Sequence, residues 1–330
     1  MAEVLLEARN VKKVFPVTKS FILARTLSSV KAVDGVSFVI RQGETLSLVG
    51  ESGCGKTTTA KMMLLLEHPS TGSIFFRGKD LQHLTHVEMK EYRGSVQAVF
   101  QDPWSSLNPR MRVGSIIAEP LVVNQALTRK TIHERVRELL MQVGLRSEHE
   151  RLYPHEFSGG QRQRIAIARA LSLKPALIVL DESVSALDVS VRAQIMNLLK
   201  DLQGEYGLSY LLIAHNLATV RYMSDRVAVM YFGKIVETAE AKRLFTQPLH
   251  PYTVALIAAA LRSHPDTPHE EIVLPGEVPS PLNPPPGCAF QPRCSNALGL
   301  CSKKAPALQE QESGHWVACH LAETPAVANG

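Results

Sequence analysis

The sequence predicts an α/β protein built on a parallel sheet, followed by a small cysteine-bearing extension. Three observations carry the prediction. A short apolar strand, Leu46 to Val49, runs through a glycine loop into a helix-forming stretch, Ala60 to Leu66. Two further apolar runs of strand length, Ala176–Leu180 and Leu208–Ala214, have no alternation, as strands buried on both faces do not. Between them Val191, Ile195, Leu198, Leu199 and Leu202 fall on one helix face, so strands alternate with helices.

In chain order, residues 3–15 read as a strand ending at Phe15, 16–30 as a loop insertion, and Lys31–Ile40 as a second strand broken at Asp34-Gly35. Ser73–Arg77 and Val96–Phe100 read as further short strands. Ile132, Val136, Leu139, Leu140 and Val143 mark an apolar helix face, with Thr131 and Glu134 as a capping box and Gly144 as its stop. Ser158 is placed to cap a helix running to Leu173. Val227–Tyr231 and Lys234–Glu237 flank Gly233 as a hairpin. The proline-rich run from Val273 to Gly287 excludes regular structure, which sets the expected domains at 1–260 and 261–330.

The chain has 330 residues, 45% hydrophobic and 20% charged, which is ordinary globular material of about two domains. No stretch approaches the ~20 apolar residues of a membrane span. Acids near the start stand where a secretory leader needs a basic region, so a soluble, cytoplasmic chain is expected. The net charge of +5 is diffuse, and no nucleic-acid partner is expected.

The glycine loop, Gly50-Glu51-Ser52-Gly53-Cys54-Gly55-Lys56-Thr57-Thr58, fits G-x-x-x-x-G-K-[ST]. Its glycines let backbone N–H groups turn inward toward phosphate oxygens, and the following helix adds its dipole. Lys56 reaches β- and γ-phosphates in such a loop, and the Thr57 hydroxyl holds Mg²⁺. Asp181 and Glu182 end the strand Ala176–Leu180, where Asp181 suits Mg²⁺ and Glu182 suits polarising an attacking water. Alone, two acids at a strand end are ordinary, and so is His215 after the next strand.

Phe157-Ser158-Gly159-Gly160-Gln161 changes that weighing. Here the chain resembles the ATP-binding cassette (ABC) ATPases, whose signature is Leu-Ser-Gly-Gly-Gln. The resemblance implies an ABC-type P-loop α/β core with an antiparallel β-subdomain and a helical subdomain carrying the signature, and ATP and Mg²⁺ as ligands. It makes Ser158, Gly159, Gly160 and Gln161 a cradle for a nucleotide held by another subunit, Gln101 the Q-loop ligand of Mg²⁺ and lytic water, and Ser185 to Asp188 the D-loop. It makes His215 the switch histidine and Phe15 the adenine-stacking aromatic. Ser183 stands where the family commonly has Pro, and Asn216 where it commonly has Asp; neither removes a group assigned to chemistry. An ABC protein of DNA repair or translation needs a coiled-coil insertion or a second cassette, which this chain lacks. A cassette that binds without hydrolysing is disfavoured by Glu182, His215 and Gln101.

Gln101-Asp-Pro-Trp-Ser-Ser-Leu-Asn-Pro-Arg110, His250-Pro-Tyr-Thr253 and Pro281–Phe290 are similar to the ATPase subunits of bacterial dipeptide/oligopeptide importers, the peptide/nickel group. This resemblance runs end to end. It implies a peripheral subunit on the cytoplasmic face of the inner membrane, a second homologous ATPase, two membrane permease subunits and a periplasmic solute-binding protein. A nickel, glutathione or other small-solute importer of the same group remains the alternative.

Cys288, Cys294, Cys301 and Cys319 are spaced x5, x6 and x17, without the close pairs of common zinc sites. Such spacing is compatible with a [4Fe–4S] cluster, which the resemblance also implies for some members. Zinc and free thiols stay open as readings. His315 and His320 flank Cys319 but are not taken as ligands. Cys54, inside the loop, is expected to fill space.

Overall fold

The computed structural model describes residues 3–18, 26–183, 185, 187–260, 276–277 and 279–322. In chain order its strands are β1 (Val4–Thr18), β2 (Thr26–Arg41), β3 (Thr45–Val49), β4 (Thr71–Phe76), β5 (Lys79–Asp80), β6 (Val96–Val99), β7 (Leu177–Asp181), β8 (Ser209–Ile213), β9 (Arg226–Tyr231), β10 (Lys234–Glu240), β11 (Gln309–Glu312) and β12 (His315–Val317). Its helices are α1 (Lys56–Met63), α2 (His86–Ser95), α3 (Pro103–Ser106), α4 (Val113–Asn124), α5 (Arg129–Gln142), α6 (Gly159–Leu171), α7 (Val189–Tyr206), α8 (Leu217–Met223), α9 (Ala241–Thr246) and α10 (Pro251–Ala260). The chain divides into two compact units. One comprises Met1–Leu6, Ile40–Thr45 and Phe75–Ile213; the other Glu7–Val39, Leu46–Ile74 and Ala214–Gly330.

In the first unit β6, β7 and β8 run parallel, with Val99 opposite Leu180 and Asp181 opposite Ile213. Leu177 to Leu180 and Ser209 to Ile213 are buried throughout, which is why neither run alternates. Helix α6 packs against β6, and α4 and α5 pack on α6 and on each other, burying Ile116, Ile117, Leu121, Leu139, Leu140, Ile165 and Ile167. Helix α5 begins one residue beyond Thr128, whose hydroxyl accepts the Thr131 N–H at 3.2 Å. Thr131 is therefore not the cap: Thr128 lies one turn earlier and makes the same bond. Gly144, at φ +72°, ends the helix as expected.

In the second unit β3 lies parallel to β9, and β9, β10, β12 and β11 continue as antiparallel neighbours. The hairpin at Gly233 is as expected; strands β11 and β12 in the cysteine-bearing region are not. Both are short; β12 pairs with β10, and the polar β11 pairs with β12. Strands β2, β1 and β4 neighbour one another in a second sheet. Here β1 extends past Phe15 to Thr18 and β2 starts at Thr26, so 16–18 and 26–30 of the expected insertion are strand, while 19–25 lie outside the described residues. Asp34-Gly35 does not break β2. Gly35 takes φ +81° and Asn10 opposite takes φ +47°, so the chain bends locally while pairing persists. Among the described residues no helix is long and apolar enough to cross a membrane. The α/β class, with antiparallel as well as parallel pairing, is the one the sequence predicts.

Candidate functional site

The glycine loop leaves β3 at its carboxyl end, the edge at which ligands enter parallel sheets, and runs into α1. Two of its glycines are forced by backbone approach. A Cβ on Gly50 would lie 2.1 Å from the Met230 carbonyl, and one on Gly55 would lie 2.4 Å from the Ala32 carbonyl. The turn between β9 and β10 is tied to the loop by the Gly233 N–H, which donates to the Cys54 carbonyl at 2.9 Å. Gly53 takes φ +78° and has nothing within 4 Å of its Cβ position, so the loop is walled behind and open in front. That is the shape of a phosphate cradle.

Lys56 is buried at the start of α1, and its ammonium donates to the carbonyls of Gly50 (2.7 Å) and Glu51 (2.8 Å). Cys54 is buried with its sulfur 3.6 Å from Lys56 Nζ, and burial pushes its thiol pKa up. It fills space behind the loop, as expected. Ser52 and Thr57 are exposed and Thr58 half-buried. Phe15, in β1, is partly exposed with the Lys13 ammonium 5.0 Å above its ring. His215 is exposed just before α8, which Asn216 caps by accepting the Thr219 N–H at 3.0 Å.

In the first unit Gln101 follows β6, and Asp181 and Glu182 end β7, so the parallel register places them on one sheet edge. Gln101 is exposed, and both acids are half-buried. Glu182 sits at φ +48°, a left-handed conformation uncommon for a side chain of this kind. Its N–H donates to the Ile213 carbonyl at 2.9 Å, and its carbonyl accepts the Ser185 hydroxyl at 2.8 Å. The turn after β7 is thus held open by β8 on one side and Ser185 on the other.

Ser158 caps α6 reciprocally with Gln161: its hydroxyl accepts the Gln161 N–H at 3.3 Å, and the Gln161 side chain accepts the Ser158 N–H at 3.0 Å. Phe157 is buried edge-on to His149, an aromatic filling the place of the signature Leu. Gly159 and Gly160 lie against the start of α7, where a Cβ on Gly160 would come 2.4 Å from Val191 Cγ1. Asp188 caps α7 by accepting the Val191 N–H at 2.9 Å, and that bond, with a smaller one from Ser190, lowers its pKa. Ala186, between the two D-loop residues, lies outside the described residues.

One connection had no sequence signal. Arg293 Nη1 and Nη2 donate to Glu51 Oε2 and Oε1 at 2.7 and 3.0 Å, across 242 positions of chain. The Tyr252 hydroxyl accepts the Glu51 N–H at 2.8 Å. Tyr231, Tyr252, Phe290 and His250 pack together around these groups, with ring centroids 4.8 to 5.6 Å apart.

Cys288, Cys294, Cys301 and Cys319 all line one small pocket, without a disulfide among them. Burial pushes the thiols of Cys288, Cys294 and Cys319 up, and the neighbouring cysteines add to this. His320 also lines the pocket, whereas His315 turns away to Glu237. No three Cys, His, Asp or Glu groups among the described residues are arranged around a single metal ion.

Comparison with known proteins places these features. The ABC transporter profile matches residues 33–185, and the profile of the oligopeptide/dipeptide transporter C-terminal region matches residues 236–301. The chain is 50% identical to the oligopeptide transport ATP-binding protein AppF of Bacillus subtilis, over 97% of this chain and 98% of that one. It is 49% identical to the dipeptide transport ATP-binding protein DppF of Escherichia coli, over 96% and 93%. The chain belongs to this family of ABC transporter ATP-binding proteins. Among solved structures, the dimeric ATP-binding cassette MJ0796 in a post-hydrolysis state with ADP and Pi is similar at a TM-score of 0.63 and 27% identity, covering 72% of this chain and 99% of that one. This ABC ATPase therefore has its phosphate loop in one compact unit and its signature in the other.

Proposed function

We propose that the protein is the ATP-hydrolysing subunit that powers import of dipeptides or oligopeptides across the bacterial inner membrane. The observation that carries this reading is the full-length likeness to peptide transport ATP-binding proteins, through both the cassette and the C-terminal region. A nickel, glutathione or other small-solute importer of the same group is the second reading, since solute choice rests with other subunits.

Residues 1–260 act as the nucleotide-binding domain and 261–330 as the extension. The loop from Gly50 to Thr58 grips the phosphates, with Lys56 on the β- and γ-oxygens and Phe15 against adenine. Thr57, Gln101 and Asp181 would hold Mg²⁺, which would supply positive charge to offset that of the phosphates. Glu182 polarises the attacking water, and Gln101 and His215 position it against the γ-phosphate. Ser158 to Gln161 complete the site of a second homologous ATPase, with Ser185 and Asp188 shaping the junction. Because each nucleotide touches both subunits, it favours the closed pair over the open one, which is the differential affinity a binding-driven switch needs. The pair works beneath two membrane permease subunits, on the cytoplasmic face, fed by a periplasmic solute-binding protein.

Cys288, Cys294, Cys301 and Cys319 hold a [4Fe–4S] cluster. One pocket shared by four unlinked thiols suits the donor set. The cluster would staple a region poor in apolar core.

The decisive experiment is co-expression with candidate permeases, followed by uptake of di-, tri- and longer peptides and of nickel into membrane vesicles. ATP-dependent peptide uptake is the expected result. Uptake of nickel alone, or hydrolysis with no coupled solute, overturns the peptide reading.

A further inference from the structure

We propose that Arg293 is a positioning residue of the phosphate loop: through Glu51 it holds the loop's first turn in the shape that receives nucleotide phosphates. The inference rests on the reading of Gly50–Thr58 as the nucleotide site.

Every polar part of Glu51 is engaged. Its carboxylate takes both Arg293 nitrogens, its N–H donates to Tyr252 Oη, and its carbonyl accepts Lys56 Nζ. A residue so tied has one backbone orientation, and it sits between Gly50 and Gly53, the two positions where the loop has most freedom. The two-point guanidinium–carboxylate geometry adds direction to charge. Arg293 is only 7% exposed, so its charge is removed from water and depends on its partner. Its pKa is accordingly pushed up, chiefly by Glu51, against the effect of burial.

The arginine is itself held in place. It ends a 3₁₀ turn, Gln291–Arg293, directly before Cys294, and its N–H donates to the Phe290 carbonyl at 2.9 Å. Phe290 packs edge-on to Tyr231 at 5.2 Å and beside Tyr252 at 5.5 Å. The same aromatic cluster thus seats both groups that grip Glu51. Ordering the loop before nucleotide arrives removes an entropic cost from binding. The effect belongs to nucleotide affinity, since the pair acts on the backbone of the loop that receives the phosphates.

The test is Mg-ADP and Mg-ATP affinity of the full-length chain by calorimetry, for wild type, Glu51→Gln, Arg293→Gln, the double variant and Lys56→Ala. Glu51→Gln and Arg293→Gln are each expected to weaken both nucleotides about tenfold, the size of one charged hydrogen-bonded contact. The double variant is expected to be no weaker than either single one, the mark of a shared interaction. Unchanged affinity in Glu51→Gln overturns the proposal and leaves the pair as a fastening of the C-terminal region; this variant keeps Arg293, so it decides the matter even if Arg293→Gln fails to fold. Additive losses in the double variant also overturn it. Lys56→Ala separates the two readings. If it binds nucleotide as wild type does, the nucleotide site itself is misplaced; if it loses binding while Glu51→Gln does not, only the role of Arg293 falls.

Discussion

His315 Nε2 lies 2.7 Å from Glu237 Oε1 between two side chains that are 1% and 0% exposed. The carboxylate also accepts the N–H groups of Leu249 (2.8 Å) and His250 (3.0 Å). Glu237 is on β10 and His315 on β12, so this pair fastens the C-terminal region to the sheet that carries the phosphate loop. Burial works to raise the Glu237 pKa, yet the bonds from His315, Thr253 and the two backbone N–H groups outweigh it, and the pKa is lowered.

Replacing Glu237 by Leu leaves buried His315, the buried His250 N–H and the part-buried Leu249 N–H without their acceptor. The expected loss of stability is about 3–5 kcal/mol, as for other broken buried pairs. Chemical denaturation of the full-length variant checks it. A loss under about 1 kcal/mol, the scale of a surface pair, contradicts the assignment.

His250 gives the fold an acid limit. Burial holds its pKa down to about 4, against an ordinary 6.5. The unfolded chain therefore takes up a proton that the folded chain refuses. The resulting stability is complete above pH 6.5 and is lost as pH falls toward 4, by up to about 3 kcal/mol. Glu237, also lowered, loses its contribution as pH falls below its ordinary 4.5. Melting temperature from pH 7.5 to 4 is expected to fall, and His250→Asn is expected to flatten the part above pH 4.5. An unchanged slope in that variant contradicts the role of His250.

Gly160 leaves no room for a Cβ because Val191 stands against it. Gly160→Ala is expected to cost about 1–3 kcal/mol by overpacking. Adding Val191→Ala removes the clashing Cγ1 and restores most of the loss. Equal stability of Gly160→Ala and Gly160→Ala/Val191→Ala shows that the contact is not the cause.

Glu182→Gln keeps the shape of the turn after β7 but removes the carboxylate proposed as the base. Hydrolysis in the assembled transporter is expected to fall at least about 100-fold, the low end for a lost general base, while ATP still binds. Turnover within a few-fold of wild type assigns the water-polarising role elsewhere.

For the cysteine pocket, protein purified anaerobically is expected to be brown, with about four irons per chain. Cys294→Ser is expected to lose colour and iron. Colourless protein with about one zinc per chain overturns the cluster.

The fold class was legible because its determinants are local. Unbroken apolar runs, helix-spaced leucines and a glycine loop between strand and helix each mark an element within a short window. The nucleotide motifs were legible for the same reason: a phosphate cradle needs contiguous backbone, so its residues are neighbours in sequence. Errors fell where a long-range contact overrode a local signal. Asp34-Gly35 looks like a turn, yet pairing across β1 and β2 carries the strand through it. Gln309–Glu312 carries no strand signal of its own, and pairing with β12 makes it a strand.

By itself, then, the sequence determined the α/β class, the order of the elements, the loop from Gly50 to Thr58 and the identity of the residues on the strand ends. Only the tertiary structure decided what stands behind that loop. Arg293 and Glu51 are 242 positions apart, and neither has a local environment that names the other. Their pairing exists because β12 joins β10 and an aromatic cluster seats the 3₁₀ turn, contacts between side chains that no short window of sequence contains.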